Sequence, residues 1–124
     1  PFFQQADEAL IKDIAGRLRP IIFTPNDVLF LEGDKAQCMY FVGKGLIEIT
    51  RGATHLVTIG DGSFVGEIAL LLDQPRSASA KSVGYSDLYL LNKEDFDHIL
   101  LEHPKFASHI QTIAEQRKKN PVTS

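Results

Sequence analysis

A chain of 124 residues with 44% apolar side chains is long enough for one folded domain with a real core. Its net charge of −3 excludes the broad positive field that non-specific nucleic-acid binding needs, so no nucleic-acid partner is expected and any anion must sit in a local site. The single cysteine, Cys38, excludes an internal disulfide framework and a multi-thiolate zinc site, and is compatible with a reducing compartment.

No apolar run approaches the roughly 20 residues of a membrane span, and no signal-peptide pattern opens the chain. Because it begins at Pro1 rather than Met, the sequence reads as a piece of a longer polypeptide. Leu10, Ile14 and Leu18 then recur every four residues with Ile11 beside them, while Asp7 and Glu8 stand where a helix N-terminus favours acids. These features predict an N-terminal helix within residues 1–20, ending at about Pro20.

Over residues 21–91 the period shortens. Apolar runs at Val28–Leu31, Cys38–Val42, Leu46–Thr50, His55–Ile59, Ser77–Val83 and Asp87–Leu91 alternate with turns rich in Gly, Asn and Asp, which indicates an antiparallel sandwich or roll. Asn92 is a good N-cap for a short helix carrying Phe96, Ile99 and Leu100. Pro104, a favoured first helical residue, opens a second helix with Phe106, Ile110, Ile113 and Ala114 on one face. That pattern fades near Lys119 and meets Pro121. The expected fold is mainly β with flanking helices in a single domain over 1–124. It comprises a double-stranded, jelly-roll-like β-roll of about eight short strands, an N-terminal helix, a short cassette helix, and two C-terminal helices over 92–119.

One stretch, residues 62–79, breaks the strand rhythm. Glu67 to Leu72 has the length of about two helical turns with Gly66 at its entrance. A helix N-terminus offers unpaired N–H groups to a phosphate, and glycine lets a ligand approach the backbone. Arg76 adds a planar fork of donors suited to phosphate oxygens, and Glu67 can accept from a ribose hydroxyl. The same residues also fit an ordinary turn and a loop-closing ion pair.

Phe64-Val65-Gly66-Glu67-Ile68-Ala69-Leu70, followed by Pro75-Arg76-Ser77-Ala78-Ser79, resembles the phosphate-binding cassette of the cyclic-nucleotide-binding family. Glu32-Gly33-Asp34, Met39-Tyr40-Phe41-Val42 and Gly45 resemble that family's early β-roll, and the likeness spans about residues 1 to 119. The resemblance implies a domain that binds cAMP or cGMP reversibly and is not an enzyme, with no cofactor beyond that ligand. It assigns the cyclic phosphate to Arg76 and the backbone amides around Ser77 and Ala78. The ribose 2′-hydroxyl goes to Glu67, with backbone help from Gly66, Ile68 and Ala69. A hydroxyl at Ser77 tolerates cGMP as well as cAMP, whereas Val65 departs from the bulkier aromatic often found there. Ile49 is either an apolar surface under the purine or plain core.

Arg117 lies four residues past Ile113 and eleven past Phe106, so it continues the apolar stripe of the last helix at about 40° and about 20° from those residues. It reads either as a solvated helix end or as a group aimed at a target. In the family resembled, this helix is a lid, which implies that Arg117 touches the purine.

Three parents could carry such a domain: a cyclic-nucleotide-gated channel, a catabolite-activator-type regulator, or a kinase regulatory subunit. The fading last helix and the opening Pro1-Phe2-Phe3 favour the channel. The expected partners are then a cyclic nucleotide and upstream transmembrane and linker segments, in a full-length tetramer with this domain on the cytoplasmic side of the plasma membrane. The four histidines form no metal-site pattern and read as surface or helix-end groups. Cys38, in an apolar strand, reads as an inert core thiol. A cupin-like metal oxygenase, the rival from another class, needs a His and carboxylate cluster on neighbouring strands, where His55 stands alone.

Overall fold

In the computed structural model, which describes residues 7–119 apart from the side chain of Lys119, the change of sequence period becomes a change of architecture. Helix α1 spans Glu8–Arg17 and buries Leu10 and Ile14; Asp7 caps it by accepting the Leu10 amide at 2.8 Å. The helix stops before Pro20, and Arg19–Phe23 is already strand β1, which moves the expected boundary at residue 20. The reason is physical: proline cannot donate to a helix or a central strand, but β1 is an edge strand, paired on one side only.

The strands that follow are β2 (Val28–Phe30), β3 (Cys38–Lys44), β4 (Ile47–Arg51), β5 (Thr54–Ile59), β6 (Phe64–Val65), β7 (Ser79–Ser82) and β8 (Ser86–Asn92). They form two four-stranded antiparallel sheets, ordered β1-β8-β3-β6 and β2-β7-β4-β5. Six of these eight strands match the apolar runs of the sequence to within a few residues. β1 and the two-residue β6 do not: β1 opens on Arg19-Pro20, which masks its apolar residues, and β6 is too short to show a period of two.

Helix α2 (Glu67–Leu72) interrupts the roll at its expected position. Helix α3 (Lys93–Glu102) is capped by the Asn92 side chain, which accepts the Asp95 amide at 2.8 Å, and α4 runs Pro104–Lys119. The opening Pro1-Phe2-Phe3 and the stop at Pro121 lie outside the described residues.

Strand β3 divides the core. Tyr40 and Val42 point into the roll, where they join Phe30, Ile47, Ile49, Val65, Ala78, Ala80 and Leu88. Met39 and Phe41 point outward and meet Leu10, Ile14, Phe96, Ile99, Phe106 and Ile110 from the helices. Successive strand residues face opposite sides, so a strand with five successive apolar residues, Cys38–Val42, supports two cores. The C-terminal helices are thereby packed directly on the back of the sheet that carries α2. Among the described residues no helix is long and apolar enough to cross a membrane.

Candidate functional site

The chemistry expected of residues 62–79 depends on where Gly66 lets the chain turn. Its φ is +92°, a left-handed conformation that side-chain-bearing residues avoid, and a Cβ there would lie 2.7 Å from Arg76 Nη1. The glycine therefore both turns β6 into α2 and leaves room for a guanidinium. Arg76 fills that room: Nη1 donates to the Gly66 carbonyl at 2.8 Å and Nη2 to the Cys38 carbonyl at 2.5 Å. Its carbon Cζ lies 4.1 Å from the centre of the Phe30 ring.

Arg76 is only 5% exposed, and its Nε is buried with no hydrogen-bond partner among the described residues. A buried charged donor left unpaired is costly, and burial alone disfavours the charged form of Arg76. Arginine stays charged at any ordinary pH, so the site is left with a buried cation and a vacant donor.

The backbone around Arg76 is gripped from the turn after β2. Gly33 N–H donates to the Arg76 carbonyl at 2.8 Å, and Arg76 N–H donates to the Asp34 carbonyl at 2.9 Å. This gives the Glu32-Gly33-Asp34 segment a role that its sequence alone does not reveal. Ser77 is exposed and Ala78 is buried. Neither backbone amide has a hydrogen-bond partner among the described residues.

Glu67 opens α2 and is fully buried. Burial pushes its carboxyl up to about 7, against the pull of the nearby Arg117. The Arg117 Nη1 donates to both Glu67 oxygens and to the Phe64 carbonyl at 3.1 Å, while its Cζ lies 4.4 Å from the centre of the Phe64 ring. Arg117 thus has a target, as its place in the stripe allowed, and in this structure the target is the carboxylate of α2. The pairing spans 50 residues, which hides it from any local reading.

The remaining expected residues fall as follows. Ile68 and Ala69 are buried in the first turn of α2. Ile49 is completely buried inside the roll, close-packed with Val65, Ala78 and Ala80. Cys38 is a free, part-buried thiol packed against the same cluster.

Away from the cassette, His103 is the helix-end residue that the sequence allowed, the C-cap of α3, and it is half-buried. Its Nε2 lies 3.0 Å from Asp13, whose other oxygen binds Arg17 at 2.8 Å, and Arg17 in turn reaches Asp95 at 2.6 Å. Hydrogen bonds from Arg17 and His103 hold the Asp13 carboxyl below the usual carboxylate range. Asp13, Glu102 and His103 bring ligand-type atoms within 4.8 Å of one another, although Asp13 lies 90 residues from His103 in sequence. The network ties α1 to the junction between α3 and α4.

The chain as a whole is similar to known proteins. A family model described as "Cyclic nucleotide-binding domain" matches residues 20–103. The human protein "Cyclic nucleotide-gated channel alpha-3" is 34% identical over 122 residues, covering 92% of this chain and 18% of the channel. The human "Potassium/sodium hyperpolarization-activated cyclic nucleotide-gated channel 4" is 32% identical over 127 residues, covering 98% of this chain and 11% of the channel. The chain therefore spans less than a fifth of the curated relatives it matches. Among solved structures, the "Thermus thermophilus Catabolite Activator Protein" superposes with a TM-score of 0.84 at 24% identity, over 96% of this chain and 58% of that one, a likeness of fold.

Proposed function

The chain belongs to the cyclic nucleotide-binding domain family, and on that premise we propose that residues 62–79 hold the phosphate of cAMP or cGMP. The observation that carries the reading is Arg76, a buried guanidinium whose Nε–H, like the amides of Ser77 and Ala78, is unpaired among the described residues. A cyclic phosphodiester supplies one delocalised negative charge and the acceptor oxygens that such a cradle lacks. Ser77 and Ala78 contribute their N–H groups. Glu67 takes the ribose 2′-hydroxyl, with Gly66, Ile68 and Ala69 lending backbone groups, and Ile49 backs the purine wall. The domain binds and releases its ligand without chemistry and needs no cofactor.

Arg117 makes the site a switch. In this structure it occupies the Glu67 carboxylate that the ribose would use, so α4 and the nucleotide draw on one group. Bound nucleotide redirects Arg117 toward the purine and shifts the position of α4. The size of that shift is limited by the ligand's differential affinity for the two arrangements. The relatives that align over nearly the whole chain are channels. We therefore assign the domain to the cytoplasmic side of a tetrameric plasma-membrane channel, with transmembrane and linker segments upstream.

Calorimetric titration with cAMP and cGMP tests the reading. The expected result is micromolar or tighter binding, weakened at least about tenfold (~1.4 kcal/mol) in Arg76→Ala. Equal affinity in both proteins would remove the phosphate assignment, and no binding to either would remove the function.

A further inference from the structure

The two amides assigned to the phosphate share a feature: each belongs to a peptide group whose carbonyl is held from behind. In a planar trans peptide the C=O and N–H point in opposite directions, so whatever fixes one fixes the other. The Arg76–Ser77 peptide has its carbonyl held by Gly33 N–H at 2.8 Å. The carbonyl of the Ser77–Ala78 peptide accepts from Arg51 Nε at 3.0 Å. One clamp is a neutral backbone donor. The other is a cation.

Arg51 ends strand β4, opposite Thr54 on β5, and is itself well placed to hold its grip. The next residue, Gly52, donates its N–H to Glu32 Oε1 at 3.2 Å. Glu32 N–H in turn donates to Ser79 Oγ at 2.8 Å. The β4–β5 turn, the turn after β2 and the cassette are thus tied into one belt, in which Arg51 is the charged side chain that bonds the Ser77 carbonyl.

We infer that Arg51 is a positioning residue for the nucleotide phosphate, aiming and polarising the Ala78 N–H through the Ser77 carbonyl. The inference rests on the cassette reading above. A charged donor on a carbonyl draws electron density toward its oxygen and leaves the N–H of the same unit a stronger donor. It also fixes the orientation before ligand arrives, so less ordering has to be supplied on binding. Arg51 acts through the peptide and needs no contact with the ligand. Because the phosphate is common to cAMP and cGMP, its contribution is the same for both.

The test compares wild type, Arg51→Gln and Arg76→Ala by calorimetry at low and high salt, with the Ala78 amide followed by NMR. Arg51→Gln is expected to weaken cAMP and cGMP by the same factor, about three- to tenfold, the scale of one ordinary net hydrogen bond. The deficit should persist at high salt, since a long-range charge effect would be screened and a hydrogen bond would not. The ligand-free melting temperature should stay put while the Ala78 amide proton moves upfield. Wild-type affinity in Arg51→Gln, a deficit that closes at high salt, or a deficit with lost ligand-free stability and an unmoved Ala78 resonance each overturns the inference. If Arg76→Ala weakens binding while Arg51→Gln does not, only the positioning role fails. If neither variant differs from wild type, the cassette reading fails with it.

Discussion

Arg76 and Arg117 lie over phenylalanine rings at nearly the same height, 4.1 Å from the centre of Phe30 and 4.4 Å from that of Phe64, yet they use their donors in opposite ways. Among the described residues Arg76, on the roll, bonds only backbone carbonyls and keeps a buried N–H unused. Arg117, on the last helix, is bonded to a carboxylate. One cation is held in place without an ion pair among the described residues, while the other is paired with Glu67. The contrast separates a rigid half of the site, built to receive a negative charge, from a helical half whose contact a ligand can replace.

The largest effect that would break this contrast is expected from Gly66→Ala. A left-handed φ costs a side-chain-bearing residue about 1–2 kcal/mol, and the new methyl would press on Arg76 Nη1 from 2.7 Å. Loss of about 2 kcal/mol in urea unfolding, together with weaker nucleotide binding, would show that the guanidinium is positioned by the turn. A variant as stable as wild type with the same affinity would show that the grip is dispensable.

A smaller, pH-dependent effect sharpens the other half. The Glu67 carboxyl is raised from 4.5 to about 7 by burial. Its favourable contribution to stability is therefore complete below about 4.5 and is lost as the pH rises through about 7. Removing Arg117 takes away the charge that holds this value down, so the carboxyl climbs further. Arg117→Ala should match wild type at about pH 6, where Glu67 is mostly protonated in both, and fall behind by about 1–2 kcal/mol near pH 8.5. Urea unfolding at the two values measures it. A deficit independent of pH would mean that Arg117 contributes through packing on Phe64 alone.

What the sequence disclosed and what it hid follow from the range of the interactions. The bounds of α2, the Asn92 cap and the start of α4 at Pro104 depend on neighbours within a few residues, and all were legible. Strands β2, β3, β4, β5, β7 and β8 were legible as short apolar runs between turns rich in Gly, Asn and Asp. Pro20 misled because its local meaning, the end of a helix, is also satisfied by an edge strand. The Arg51 contact with Ser77 joins residues 26 apart, and no periodicity marks it. Arg117 was singled out by its place on the apolar stripe, but its partner Glu67 lies on another element and appears only when α4 folds back over α2. Gly33 and Asp34 carried family likeness without a role, because their function is to clamp a backbone, and backbone groups have no signature in side-chain patterns.

The most direct measurement is the crystal structure of this domain with cAMP bound. The cyclic phosphate should lie within hydrogen-bond distance of the Arg76 guanidinium and the Ala78 amide, with the ribose on Glu67 and Arg117 displaced toward the purine. A nucleotide seated elsewhere, or a phosphate that leaves the Arg76 N–H unpaired, would contradict the account.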